Sequence, residues 1–260
     1  MTTIGFKHAL LAMTLAVTVG SAQADLLDNV KQNKKLRVAI ELSLPPYGMT
    51  ADKMQPYGSD VESAQLLAKD LGVELEIVTA TGPTRIPFLQ TNKADLAIAT
   101  LSISPERMKV IDFSVPYSVV QIVVAAPKSM AIKSYADLAG KSIAITRGNV
   151  QEAELMQKAV GATIVRYDDD ATLVTAGVSG QAPIVSTATT LLQAIQTKNP
   201  SRELETKFVV REFQLGVGMR KDEPRLLLWV NDWVKANRAN GKLNAIFKKY
   251  HHSELPSLAP

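Results

Sequence analysis

The chain alternates short apolar runs with segments of helical periodicity, and this alternation limits the folds that are open to it. The predicted strands of the first series cover 36–40, 73–78 and 95–99, and the predicted helices cover 61–71 and 86–89. Gly72 follows the longer helix, as is typical of a helix end, and Ser59 or Asp60 is its predicted N-cap. A strand–helix–strand–helix–strand order predicts a mainly parallel sheet with helices on both faces.

A second series of the same kind begins after residue 138. Its predicted strands cover 142–146, 162–166, 183–186 and 215–219, and its predicted helices cover 150–160, 171–178, 188–196, 223–240 and 243–250. Two such series in one chain predict an α/β protein of two Rossmann-like lobes.

The β segments near 118–126 and 214–219 are the predicted crossings between the lobes. We therefore expect a first lobe formed by 25–120 and 215–260, and a second lobe formed by 121–214. Ligands of open parallel sheets bind beyond the carboxyl ends of the strands. In a two-lobed chain these ends face each other, so the sequence predicts a binding cleft between the lobes.

The N-terminal segment has the composition of a secretory signal peptide. Lys7 and His8 precede an apolar run from Ala9 to Val19, and the run is followed by Ala22-Gln23-Ala24. The run is shorter than the roughly 20 residues that span a bilayer. We expect cleavage after Ala24 and a mature protein in the periplasm.

The composition excludes several classes of catalytic and binding site. The chain has no cysteine, so disulfides, thiolate metal sites and cysteine nucleophiles are excluded. Its histidines are His8, His251 and His252, which leaves none in the body of the chain for a Ser–His–Asp centre or a metal site. The basic clusters lie at the ends of the chain, which disfavours nucleic-acid binding. We expect neither a metal nor a cofactor.

The segment from Thr100 to Arg107 carries the most chemistry. It follows a predicted strand, Ser104 is a candidate N-cap, and Pro105 suits the first position of a helix. Hydroxyl groups, free backbone N–H groups and a guanidinium therefore converge at one strand end, which suits a bound carboxylate. The alternative is structural, with Arg107 paired to a neighbouring acid, Glu106 or Asp112.

Several segments resemble the periplasmic solute-binding proteins for polar amino acids, the soluble receptors of ABC importers. The resemblance covers nearly all of the chain after residue 24, and its most specific part lies within 86–117. The segments are LRVAIELSLPPYG, GSDVESAQLLAKDLGVELEIV, RIPFLQTNKADLAIATLSISPERMKVIDFSVPYS, KSYADLAGKSIAITRGN, YDDDATL and WVKANRANGKLNAIFKKYH. The resemblance implies a type II periplasmic binding fold with two hinge strands, a partner permease in the inner membrane, a monomeric receptor and no enzymatic activity.

The resemblance also implies ligand contacts at particular positions. Arg107 and Ser102 match the residues that hold the carboxylate of the ligand, and Thr100 stands beside them. Gly148 and Asn149 match the carboxylate loop of the second lobe, where Asn149 is a candidate cap of the following helix. The remaining implied contacts are Glu41, at the polar or cationic end of the ligand, and Tyr47, for which packing within the first lobe is the alternative.

Three positions depart from the family pattern. Ala188 stands where the family has the aspartate that pairs with the ligand ammonium, and the adjacent Thr187, which is polar but neutral, is the candidate ligand contact there. Gly82 and Leu44 occupy positions where aromatic residues are common. The ligand is therefore expected to be either a carboxylate without an ammonium or an amino acid whose ammonium meets Glu41.

Two other function classes remain open at this point. Some relatives on this fold are dehydratases of small cyclic carboxylic acids, and Glu41 or Asp60 is the candidate acid for such a reaction. A sensor module is the third class, although no predicted signalling domain accompanies it. The binding protein is the preferred interpretation, because no pair of acids stands at a spacing that suggests catalysis.

Overall fold

The computed structural model describes residues 25–258, apart from the side chain of Lys53. The predicted signal peptide lies outside the described residues. The α-helices are α1 (Leu26–Asn33), α2 (Ser59–Leu71), α3 (Arg85–Gln90), α4 (Pro105–Met108), α5 (Gln151–Lys158), α6 (Asp170–Ser179), α7 (Thr189–Lys198), α8 (Pro224–Ala239) and α9 (Lys242–His251). Short 3-10 helices cover Asp52–Met54, Gly82–Thr84, Tyr135–Leu138 and Pro200–Arg202. No described helix has both the length and the apolar character of a membrane span.

The strands form two larger sheets and one small hairpin. They are β1 (Lys35–Glu41), β2 (Met49–Thr50), β3 (Pro56–Tyr57), β4 (Glu74–Ala80), β5 (Leu96–Ala97), β6 (Asp112–Phe113), β7 (Ser118–Pro127), β8 (Ser142–Thr146), β9 (Thr163–Tyr167), β10 (Val185–Ala188), β11 (Leu204–Leu215) and β12 (Gly218–Met219). The first sheet has the order β4-β1-β5-β12-β6, the second has the order β11-β7-β10-β8-β9, and β2 pairs with β3.

Each larger sheet has a parallel part and an antiparallel part. In the first sheet β1 pairs in parallel with β4 and β5, while β12 runs antiparallel to β5 and β6. In the second sheet β8 pairs in parallel with β9 and β10, while β7 runs antiparallel to β10 and β11. The predicted α/β class is confirmed, and the antiparallel strands are those that carry the chain from one sheet to the other or extend a sheet after the return.

The chain passes between the sheets at two adjacent points. It leaves the first sheet after β6 and enters β7 at Ser118, and it returns after β11 ends at Leu215. Ser118 and Leu215 are partners in the β7–β11 register, and Leu215 also bridges to Ser102. The two crossings therefore run side by side. The predicted lobe boundaries near residues 120 and 214 lie close to them and stay a prediction.

Two of the predicted helix ends agree with the structure, and one predicted cap does not. Gly72 ends α2 in the left-handed conformation, and Ser104 caps α4, accepting a hydrogen bond from the Arg107 N–H at 3.3 Å. The predicted cap of α2 was wrong. Gly58 holds the N-cap position, while Asp60 is buried and bonds elsewhere.

Candidate functional site

A cavity lies between the two sheets, beyond the ends of β5 and β10. The space between its lining residues, which includes a part open to solvent, is about 340 Å³. Its polar lining comes from both sheets and consists of Arg85, Thr100, Ser102, Arg107, Asn149, Gln151, Asp170 and Thr187. Its apolar lining consists of Leu44, Val120, Ile122, Val150, Ala188 and Leu191. A wider outer groove of about 650 Å³ shares Arg107, Asn149 and Val150 with this cavity.

Arg107 reaches across the gap between the sheets. Its Nη1 donates to the Ser102 carbonyl at 2.9 Å, and its Nη2 donates to the Gly148 carbonyl at 2.9 Å. Neither acid of the structural alternative pairs with Arg107: Glu106 makes no ion pair with it, and Asp112 pairs with Lys221 at 2.6 Å. Burial and the nearby Arg85 lower the pKa of Arg107 to about 9, so its guanidinium is cationic at neutral pH.

Thr100 lines the cavity in a conformation that threonine rarely adopts. Its φ is 49°, in the left-handed region. The buried Asp60 holds it there, because Oδ2 of Asp60 accepts from the Thr100 N–H at 2.7 Å and from its hydroxyl at 3.1 Å. The Tyr117 hydroxyl donates to Oδ1 of the same carboxylate at 2.8 Å. Burial raises the pKa of Asp60 to about 6, against the effect of these hydrogen bonds.

Arg85 is a second arginine on the cavity wall, and most of its donors are used within the protein. Its Nε donates to the Gly82 carbonyl, and Nη1 donates to the carbonyls of Ala99 and Thr100. Its Nη2 donates to Oδ1 of Asn149 at 2.7 Å, which joins the two sides of the cavity. The side chain is 3% exposed, so this arginine is part of the cavity framework.

The second side of the cavity contains two buried acceptors. Asp170 begins α6 and its Oδ1 accepts from the Thr146 hydroxyl, while its Oδ2 has no hydrogen-bond partner among the described residues. Gln151 begins α5 and donates through Nε2 to the Ser186 carbonyl at 3.1 Å, while its Oε1 has no partner. Burial raises the pKa of Asp170, although the Thr146 hydroxyl, the Arg85 cation and the Asn149 amide act in the opposite direction.

Five of the predicted contact residues line the cavity, and three do not. The five are Thr100, Ser102, Arg107, Asn149 and Thr187. Gly148 lies in the outer groove and reaches the site through its carbonyl. Tyr47 is buried, and its hydroxyl donates to the Val119 carbonyl at 2.6 Å, which agrees with the packing alternative.

Glu41 lies one residue away from the cavity. Its Oε2 is 3.6 Å from Nη1 of Arg85, and neither of its carboxyl oxygens has a hydrogen-bond partner among the described residues. Arg85, rather than Glu41, lines the cavity. The predicted direct contact between Glu41 and a ligand is therefore not provided by this arrangement.

Two residues, one on each side of the cavity, differ from what their sequence position suggested. Asn149 was a candidate helix cap, but Val150 holds the N-cap position of α5 and the Asn149 amide oxygen bonds to Arg85 instead. Gly82 occupies a position where aromatic residues are common, and the structure gives a reason why a small residue stands there. A Cβ at Gly82 would lie 2.7 Å from the Arg147 carbonyl, so the backbones of the two sides meet here.

Sequence reasoning assigned no site role to Arg85, Gln151 or Asp170. Arg85 lies in the RIPFLQ segment and Asp170 in the YDDDATL segment, both of which were noted only as family motifs. For Arg85 and Asp170, the available signal was a charged residue at the start of a short helix. That signal does not distinguish a helix cap from a buried side chain, because burial depends on the opposing sheet.

Comparisons with known proteins agree with the geometry. The model of the bacterial extracellular solute-binding proteins, family 3, matches residues 36–253. The L-cystine-binding protein TcyJ of Escherichia coli (strain K12) is 30% identical over 94% of this chain and 93% of its own length. A crystal structure of the P235GK mutant of ArgBP from T. maritima has a TM-score of 0.80 and 29% identity, covering 88% of this chain and 100% of that one.

A further neighbour concerns the dehydratase alternative. The ancestral amino acid-binding protein AncCDT-1, described as a precursor of cyclohexadienyl dehydratase, has a TM-score of 0.77 and 31% identity, covering 87% of this chain and 99% of its own. That neighbour is itself described as an amino acid-binding protein. The family match covers most of the chain, and the two-sheet fold with its interlobe cavity agrees with it. This chain belongs to the bacterial extracellular solute-binding proteins, family 3.

Proposed function

We propose that this protein is the periplasmic substrate-binding component of an ABC importer and that it binds an amino acid or a related small carboxylate in the cavity between its sheets. The family match and the named relatives support this function. The ligand is held by groups from both sides of the cavity, so binding keeps the two lobes together.

The position of Arg107 carries the proposal. Its guanidinium lies on the cavity wall and bonds to the Ser102 carbonyl, and its own bonds already reach both sides of the cavity. An arginine has five N–H donors, and carboxylates accept two parallel bonds from one guanidinium. In the proposed complex the ligand carboxylate lies against Arg107 and Ser102, with Thr100, Asn149 and Thr187 as further polar contacts.

The proposal includes location and partners. The N-terminal segment has the pattern of a cleaved signal peptide, and the family consists of extracellular proteins. The mature chain acts as a monomer in the periplasm and delivers its ligand to an ABC permease in the inner membrane. No cofactor or resident metal takes part.

The proposed role is binding rather than catalysis. A dehydratase needs an acid that reaches the reacting atoms of its substrate. Of the two candidate acids, Asp60 is engaged by Thr100 and Tyr117, and Glu41 lies behind Arg85. Neither lines the cavity, so nothing at these two positions favours the alternative.

A ligand screen tests the proposal. The mature chain is titrated with the twenty L-amino acids, L-cystine and the matching acids that lack the α-amino group, first by thermal shift and then by calorimetry. We expect one-to-one binding of at least one compound. Saturation at about 100 times Kd should stabilise the fold by roughly 2.7 kcal/mol. The absence of binding across the whole panel would contradict the proposal.

A further inference from the structure

The second side of the cavity presents hydrogen-bond acceptors that the protein itself does not satisfy. Asp170 is 0% exposed and Gln151 is 1% exposed, and both line the cavity. Oδ2 of Asp170 and Oε1 of Gln151 have no hydrogen-bond partner among residues 25–258. Buried acceptors without donors are unfavourable, so a pair of them on one cavity wall indicates the chemistry of a ligand.

The Asn149 amide and the Arg85 cation lie near Asp170, but neither donates a hydrogen bond to its Oδ2. The Thr146 hydroxyl is used by the other oxygen of Asp170, and the Gln151 amide nitrogen is used by the Ser186 carbonyl. In the described part of the chain, no Lys, Arg or His lies within ion-pair distance of Asp170. The bond from Gln151 to Ser186 also fixes the amide orientation, with its oxygen left free.

We propose that Asp170 and Gln151 form a cation subsite that receives the ammonium group of the ligand. This inference rests on the proposed function, because it places the carboxylate of the same ligand at Arg107. An ammonium carries three donors and one positive charge, which satisfies both acceptors and pairs with the carboxylate. The ligand class is therefore a zwitterionic amino acid rather than a plain carboxylic acid.

The two free acceptors do not suit an anionic group at this place. A ligand carboxylate near Asp170 would add a second acidic group to the subsite and leave both acceptors without a donor. The subsite also explains how a chain with Ala188 in place of the usual aspartate retains an acidic partner, which comes from the start of α6 instead of the end of β10.

The first test needs no variant. Each L-amino acid that binds the wild-type protein is compared by calorimetry with the acid that lacks only its α-amino group. We expect the amino acid to bind at least about tenfold more tightly, since a charge-assisted contact is lost with the ammonium. Equal affinity of the two compounds would overturn the cation subsite and leave the carboxylate site at Arg107 standing.

The second test locates the effect at Asp170. Asp170→Asn removes the charge and keeps the shape of the side chain, and Asp169→Asn is the matched control, because Asp169 is the half-exposed N-cap of the same helix. The first variant should weaken binding of the amino acid by at least about tenfold and change binding of the des-amino acid by less than about threefold. The control should change neither by more than about threefold.

The outcomes separate the two proposals. An Asp170→Asn protein that unfolds cooperatively and still prefers the amino acid to the same extent as wild type overturns the assignment to Asp170. If that variant does not fold, the comparison of the two compounds on the wild-type protein decides the matter. If neither compound of any pair binds the wild-type protein, the proposed function fails, and the cation subsite fails with it.

Discussion

Single residues at the cavity hold conformations and charges that are costly elsewhere in a protein. Thr100 keeps a left-handed backbone conformation because Asp60 accepts hydrogen bonds from both its N–H and its hydroxyl. Asp60 is itself fixed by Tyr117. The strained residue therefore depends on a buried network, and this network presents the Thr100 side of the cavity in one fixed geometry.

The buried Glu41 makes stability depend on pH. Burial raises the pKa of Glu41 to about 8, Arg85 opposes the shift, and Asp170, Asp169 and Asp60 add to it. Glu41 ionises at a lower pH in the unfolded chain than in the folded protein. The free energy of unfolding therefore falls as the pH rises from about 5 to about 8. In Glu41→Gln the side chain at this position stays neutral at every pH. The free energy of unfolding of this variant should therefore fall by at least about 1 kcal/mol less than that of wild type over the same pH range.

Urea unfolding at three pH values across this range measures the difference. Glu74→Gln is the control, because Glu74 is exposed at the start of β4, and its pH dependence should match that of wild type. A Glu41→Gln protein whose stability falls with pH as steeply as that of wild type would show that Glu41 is already ionised in the folded protein.

At the scale of elements, the periodic segments could be predicted and the short or irregular strands could not. Runs such as 142–146 and 36–40 agree with β8 and β1 to within a residue. Most of β11 was not predicted, because its exposed charged residues and two register shifts give no clean alternation. Strands of two residues, such as β6, depend on pairing with distant segments and carry no local signal.

The same distinction explains which site residues could be found. Ser102 and Arg107 lie in one short segment whose hydroxyls, helix start and guanidinium occur together in the chain. Asp170 and Gln151 join the site only when α5 and α6 are placed against the cavity. Their sequence positions at helix starts are equally typical of capping residues, so burial was the missing information.

A substitution at Gly82, where the loop of one side meets Arg147 of the other, tests how closely the two sides must approach for a ligand to bind. A Cβ at Gly82 would lie 2.7 Å from the Arg147 carbonyl, and a backbone atom does not move aside cheaply. Gly82→Ala should therefore hold the two sides apart and weaken ligand binding by roughly tenfold, or about 1.4 kcal/mol. Calorimetry gives the affinity, and thermal unfolding checks that the fold is retained. Unchanged affinity would show that this close approach is not needed for binding.

The whole molecule is two sheets joined by two adjacent crossings, which is the geometry of a hinge. Ligand contacts from both sides predict that a bound ligand favours the closed arrangement. Small-angle scattering of the mature protein should give a smaller radius of gyration with saturating ligand than without. A radius that does not change on saturation would indicate a rigid site in place of a closing cleft.

The most direct test of this account is the titration of Arg107→Ala with the tightest ligand from the screen, with Arg225→Ala as the control. Arg225 is an exposed arginine paired with Asp28. In the proposed complex Arg107 makes two charge-assisted bonds to the carboxylate, so its loss should weaken binding by at least roughly 2 kcal/mol, about 30-fold. The control should bind like wild type. If Arg107→Ala also binds like wild type, the ligand carboxylate does not lie at Arg107, and the proposed binding site is wrong.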